Sequence, residues 1–154
     1  SVFNGVPFYQ DEDEIFQQDS NSVKLVNGVG FLPNSRARQR ISKKFKSRGF
    51  KFLSIISQSA EISPNAKLGS GVQVLNGAIV QTGAVISDET ILNTRVIIEH
   101  DCSIGLMNHI APNATLCGGV RTGVNVFVGA GAVVLPNSQI KDSAVLQACS
   151  LHKS

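Results

Sequence analysis

The sequence predicts a mainly β chain: a parallel β-helix of about five coils over residues 57–154, preceded by a partial α/β domain over residues 1–56. Two regularities predict it. Stepping by six from Ile62 to Leu146, fourteen of fifteen positions are Leu, Ile or Val, with Thr122 the exception. At their overall frequency these residue types would fill roughly four of those positions. The fifth position of each phrase is small or β-branched, from Ala66 and Val72 to Ala144 and Ser150, with Asn108 the exception. A helix cannot keep a period of six, because 3.6 residues per turn would smear the aliphatic row around its axis. Short strands separated by turns can, and three phrases then make an 18-residue triangular coil.

Ten of the 14 glycines lie inside the repeat. Gly69, Gly105, Gly123 and Gly129 occupy position two, and Gly71, Gly77, Gly83, Gly119 and Gly131 occupy position four. Both positions are expected to be turns with a left-handed backbone. Gly118 alone stands off this register, at position three.

At 154 residues and 42% hydrophobic, the chain can bury a substantial core. No apolar run approaches the ~18 residues of a membrane span, and the first residues do not read as a signal peptide. Cys102, Cys117 and Cys149 form no CxxC pair, so neither a disulfide framework nor a zinc ribbon is supported, and a reducing cytoplasm is expected. Of 14 basic residues, nine lie in residues 1–51 and five in the coils. Coil walls so weakly charged suggest surfaces covered by other subunits.

Residues 1–22 read as irregular, with the acidic run Asp11–Glu14 as a helix start or loop. Val23–Val26 reads as a strand ending in Gly28-Val29-Gly30. Pro33-Asn34-Ser35 starts a helix with Ala37, Ile41 and Phe45 on one face and Gly49 as its stop. Phe50 to Ile56 returns as a strand leading into the coils. The helix carries Arg36, Arg38, Arg40, Lys43, Lys44, Lys46 and Arg48, read either as a solvated face or as a surface for nucleotide phosphate. Stacking aromatics are missing among these charges, which speaks against nucleic acid.

The densest chemistry lies in Leu92-Asn93-Thr94 and in Glu99-His100-Asp101-Cys102-Ser103-Ile104-Gly105, followed by His109-Ile110-Ala111-Pro112. With the hexads, these residues resemble the hexapeptide-repeat nucleotide-sugar acetyltransferases, in particular the sialic acid O-acetyltransferases and the bacillosamine and perosamine N-acetyltransferases. That resemblance implies a left-handed coil, a homotrimer and acetyl-CoA as acyl donor. It also implies an N-terminal Rossmann-like domain that binds the nucleotide sugar. Its opening strand and Gly-rich turn would lie upstream of Ser1, so the chain is expected to begin partway into that domain.

Acyl transfer needs a base that titrates near neutral pH, a carboxylate to orient it, and a donor for the oxyanion. His100 with Asp101 suits the base and its orienter. Gly118 lies 18 residues on, in the same column one coil higher, where a side chain would roof over the imidazole; its N–H suits the thioester carbonyl. His109 is half a coil from His100, so the two can meet only across subunits. By the resemblance, His109 contacts acetyl-CoA across that interface, Ala130 and Ala148 line the coenzyme's arm, Asn93 lines the acceptor pocket, and Gly30 and Arg36 contact the nucleotide sugar. No metal is expected, because a zinc hydratase needs three histidines around one metal and only His100 and His109 lie within the repeat from Ile62 to Leu151, His152 standing at the ragged end. Three readings stay open: N-acetylation of a nucleotide-linked amino sugar in surface-glycan biosynthesis, O-acetylation of sialic acid or another sugar, and a catalytically inactive assembly subunit.

Overall fold

A computed structural model describes Tyr9, residues 11–31, Pro33 and residues 35–153. From Ile55 to His152 the chain is a parallel β-solenoid of two-residue strands, one every six residues, from β3 (Ile55–Ile56) to β19 (Leu151–His152). They stack into three parallel faces. Face I begins at Ile55–Ile56, face II at Glu61–Ile62 and face III at Lys67–Leu68. The register is 18 residues per coil: Ile79 pairs with Ile97, Ile97 with Thr115, and Thr115 with Val133.

The first and fifth positions of the phrase point inward, as the period requires of residues two apart on a strand. Ile86, Leu92, Ile98, Ile104, Ile110 and Leu116 are at most 1% exposed, with Ala84, Val96, Ala114 and Val120 filling the corners between them. Each such aliphatic side chain contributes roughly 1.5–3 kcal/mol of burial. The two exceptions to the pattern explain each other. Asn108 Nδ2 donates to Thr122 Oγ1, while Asn108 Oδ1 accepts from the Val126 N–H at 2.7 Å. Thr122 Oγ1 also accepts from the Gly105 N–H at 3.0 Å. One polar pair, buried at Asn108 and half-buried at Thr122, therefore satisfies groups that an aliphatic pair would strand.

Position four adopts the left-handed conformation throughout residues 71–149, with φ between +54° and +74° whether it is Gly83, Asp101, Asn113 or Cys149. Position two does not, which corrects the expectation for Gly69, Gly105, Gly123 and Gly129. Those glycines serve close approach instead. A Cβ on Gly105 would strike the Gly123 carbonyl, and one on Gly129 would strike the Ala148 backbone.

The N-terminal segment is a small βαβ unit. Helix α1 (Glu12–Phe16) is capped by Asp11, whose side chain accepts from the Asp13 N–H. Strands β1 (Lys24–Leu25) and β2 (Lys51–Phe52) pair in parallel and are joined by helix α2 (Ala37–Lys46). The helix begins later than Pro33-Asn34-Ser35 suggested, and Asn34 lies outside the described residues. The extended stretch read over Phe50–Ile56 divides. Its first half pairs with β1, and its second half, β3, already belongs to face I.

Half of the basic helix is not a free surface. Arg38 is 4% exposed and donates to the carbonyls of Asn27, Val29 and Glu89. Lys46 pairs with Glu89, which also accepts from Ser42 Oγ, and Lys44 pairs with Glu12. Arg48 lies 4.0 Å above the Phe16 ring centroid. These contacts dock α2 on the corner between faces III and I, leaving Arg36, Arg40 and Lys43 exposed.

Candidate active site

Each face ends in a corner, and the corners sort the candidate residues. His100 and Asp101 form the turn between faces II and III, directly after the strand Ile97–Ile98. Asp101 has φ +59°, the shared conformation of position four, which turns its carboxylate back toward the preceding residue. His100 Nδ1 lies 3.0 Å from Asp101 Oδ2. A carboxylate can only accept, so Nδ1 carries the proton and the Nε2 lone pair is left free. The side chains are 59% and 72% exposed, so an acceptor molecule can reach Nε2 from solvent.

One coil on, Gly118 covers the imidazole. A Cβ built there would stand 2.6 Å from both Cε1 and Nε2 of His100, so glycine is needed for the ring to occupy this position. The two turns are also stitched by backbone, with Gly119 N–H donating to the His100 carbonyl at 2.9 Å. Among the described residues no acceptor takes the Gly118 N–H. One coil back, Asp101 rests against Gly83. A step of 18 residues forward from His100 reaches Gly118. The same step backward from Asp101 reaches Gly83, which the sequence marks only as one of five repeat glycines at position four.

The other candidates stand elsewhere. Ala130 and Ala148 are exposed in one column of the corner between faces I and II, tied by Cys149 N–H donating to the Ala130 carbonyl at 2.8 Å. That corner and the His100 corner are the two edges of face II. His109 projects from face I, where Asn93 Nδ2 donates to its Nε2 at 3.3 Å, fixing the proton on Nδ1. Phe31 and Phe127 pack around the ring, with centroids 5.8 and 5.3 Å away. His109 Nδ1 is buried without a partner among the described residues. Arg36 lines a cleft of about 190 Å³ with Phe31, Pro33, Ser35, Asn125 and Ser143, at the corner between faces III and I, and Gly30 is exposed. Within one chain, therefore, Gly30, Arg36 and His109 are not gathered with His100. Among the described residues no three His, Cys, Asp or Glu side chains cluster as metal ligands, and no helix is long and apolar enough to cross a membrane.

His109 is held neutral. Burial, and then the nearby Arg38 charge, pull its pKa from 6.5 to about 4. Between those values the unfolded chain binds a proton that the folded chain refuses. Stability is thus complete above the unfolded value and falls as pH drops from about 6.5 toward 4. Thermal melts across that window should show a falling Tm for the native chain and a shallower fall for His109→Gln.

No protein-family model matches the chain. Solved structures do. A histidine-to-asparagine mutant of perosamine N-acetyltransferase from Caulobacter crescentus, in complex with CoA and GDP-perosamine, superposes with a TM-score of 0.88 at 30% identity, covering 97% of this chain and 70% of that one. The acetyltransferase domain of PglB from Neisseria gonorrhoeae, in complex with acetyl coenzyme A, gives 0.85 at 30% identity, covering 94% and 69%. WeeI from Acinetobacter baumannii, at 18% identity and a TM-score of 0.75 over 96% and 75%, shares the fold. A solenoid of this register, carrying an exposed His–Asp pair beneath a glycine and matched at this identity over two thirds of those chains, is an acyltransferase belonging to the hexapeptide-repeat sugar acetyltransferase family.

Proposed function

We propose that the chain transfers the acetyl group of acetyl-CoA to the amine of a nucleotide-linked amino sugar, acting in the cytoplasm as a homotrimer. The observation that carries this reading is the His100–Asp101 pair with its free Nε2 beneath Gly118. Its similarity to an N-acetyltransferase solved with CoA and GDP-perosamine supports the choice of donor and acceptor. The site fits a thioester, because the N–H of Gly118, the residue that covers His100, has no acceptor among the described residues.

Acetyl-CoA supplies the acetyl group through its thioester. His100 Nε2 takes the proton that the sugar amine loses as its nitrogen becomes an amide, Asp101 stabilises the resulting imidazolium, and the proton goes on to the sulfur as the C–S bond breaks and CoA leaves as the thiol. The Gly118 N–H donates to the oxygen on which charge develops. Ala130 and Ala148 leave a smooth edge for the coenzyme's arm, and the neutral His109 of an adjoining subunit contacts the coenzyme. Asn93 serves the acceptor pocket, and Gly30 and Arg36 serve the nucleotide sugar.

Trimer formation is supported by face II. Above Glu61 in the first coil, its outward column of Ile79, Ile97, Thr115, Val133 and Leu151 carries no charge, and it lies between the corner holding His100 and the corner holding Ala148. A face of this composition is suited to burial against another copy. The test is thiol release from acetyl-CoA across a panel of nucleotide-linked amino sugars, their hydroxyl analogues and free sialic acid, with oligomer mass measured in the same buffer. Amine-dependent release by a trimer is expected. Release with hydroxyl acceptors alone, or full activity in a monomer, would overturn the reading.

A further inference from the structure

Gly83 takes φ +74°, yet that conformation does not by itself demand glycine in this solenoid. Nine other residues, among them Arg95, Met107 and Ser143, hold the same position of the repeat at φ between +54° and +61°. What distinguishes Gly83 is its neighbour. A Cβ built on it would lie closer to Asp101 Oδ1 than the 3.0 Å that real Cβ atoms keep, while Asp101 Cγ and N stand at ordinary distances of 3.4 and 3.5 Å. Only the carboxylate would have to move. Little resists that movement, because Asp101 is 72% exposed and, among the described residues, its carboxylate has His100 Nδ1 as its partner. Asp88 and Asp142 differ. Each sits one position earlier in its own phrase and accepts a backbone N–H from the coil before it, Ser70 and Val124 respectively. Those carboxylates hold turns together, whereas the Asp101 carboxylate holds an imidazole.

We infer that Gly83 is a positioning residue for acyl transfer: the missing side chain seats Asp101 against His100 Nδ1 and so keeps the Nε2 lone pair free for the acceptor. The inference rests on His100 being the base. Gly118 and Gly83 then form one device, the first making room for the ring from the coil above and the second for the carboxylate from the coil below. A side chain at residue 83 displaces Oδ1, and because the two oxygens of a carboxylate move together, the bond to His100 goes with it. The displaced group swings into solvent, so the stability cost is the backbone strain of a side chain at this φ. Geometry at the base changes a great deal.

The experiment compares Gly83→Ala with Gly77→Ala in the full chain. Gly77 has φ +67° and a built Cβ 3.3 Å from the flexible Arg95 Cγ, so this control carries the same backbone strain without touching Asp101. Imidazole ¹⁵N spectra report which His100 nitrogen bears the proton, and steady-state kinetics report turnover. Gly83→Ala is expected to lose the Nδ1–H signature and to lower kcat on the order of 10²-fold, with KM for acetyl-CoA within about twofold, as for a small misplacement of a reacting group. Gly77→Ala should keep both. In an Asp101→Asn background the further effect of Gly83→Ala should vanish, because the two changes act through one contact. Native spectra and native kcat in Gly83→Ala, or a loss that adds in full to that of Asp101→Asn, would overturn the proposal. If His100→Ala turns over normally, the base assignment is lost, and the ¹⁵N signature alone still decides whether Gly83 seats Asp101.

Discussion

A Gly118→Ala chain should fold normally and turn over acetyl-CoA on the order of 10²–10³-fold more slowly, the range seen when an oxyanion donor is lost. Gly118 takes no left-handed φ, so alanine there carries no backbone penalty. The whole effect falls on His100. A methyl group 2.6 Å from Cε1 and Nε2 and 3.2 Å from Cδ2 overlaps the ring edge along its length. The ring cannot slide aside while Nδ1 is tied to Asp101 at 3.0 Å. Either the pair separates or the turn carrying residue 118 retreats, and with it the N–H offered to the carbonyl. A larger side chain such as Gly118→Trp should remove coenzyme binding as well. Calorimetric titration with acetyl-CoA, beside melting curves, checks both claims. An unchanged Tm with lost binding is expected, and native binding by the tryptophan variant would refute the assignment.

Replacing His100 by alanine should lower kcat by at least ~10²-fold, as expected for a lost general base. The acceptor must shed a proton while its nitrogen attacks the thioester, and Nε2 is the free basic lone pair beside Gly118. His109 cannot substitute for it. Its Nε2 accepts from Asn93 and its pKa lies at about 4, so it is a poor base at neutral pH and projects from a different face. Affinity for acetyl-CoA should change little, because the coenzyme's arm is assigned to Ala130 and Ala148 rather than to the imidazole. Removing an exposed side chain from a turn also leaves the core of Ile98, Ile104 and Leu116 intact.

The solenoid was legible because its core is periodic: one aliphatic row every six residues admits one stacking. The same arithmetic made Gly118 over His100 legible, since residues 18 apart must share a column. What period could not supply was the reason for each glycine. Position-two glycines serve backbone contact between coils, a property of inter-coil spacing that no local pattern encodes. Nor could it show how the basic residues of α2 are used. Arg38 and Glu89 meet across 51 positions, and a buried cluster of that range leaves no periodic trace. His109 gave a similar limit: its spacing placed it away from His100, but the rings of Phe31 and Phe127 around it depend on how the N-terminal segment folds back on face I.

The account is tested most directly by the turnover rate of the His100→Ala chain, measured beside the native chain as thiol release with acetyl-CoA and a nucleotide-linked amino sugar both saturating. Loss of at least ~10²-fold, with coenzyme affinity retained, is the predicted result. A His100→Ala chain that acetylates the amine at the native rate would contradict it.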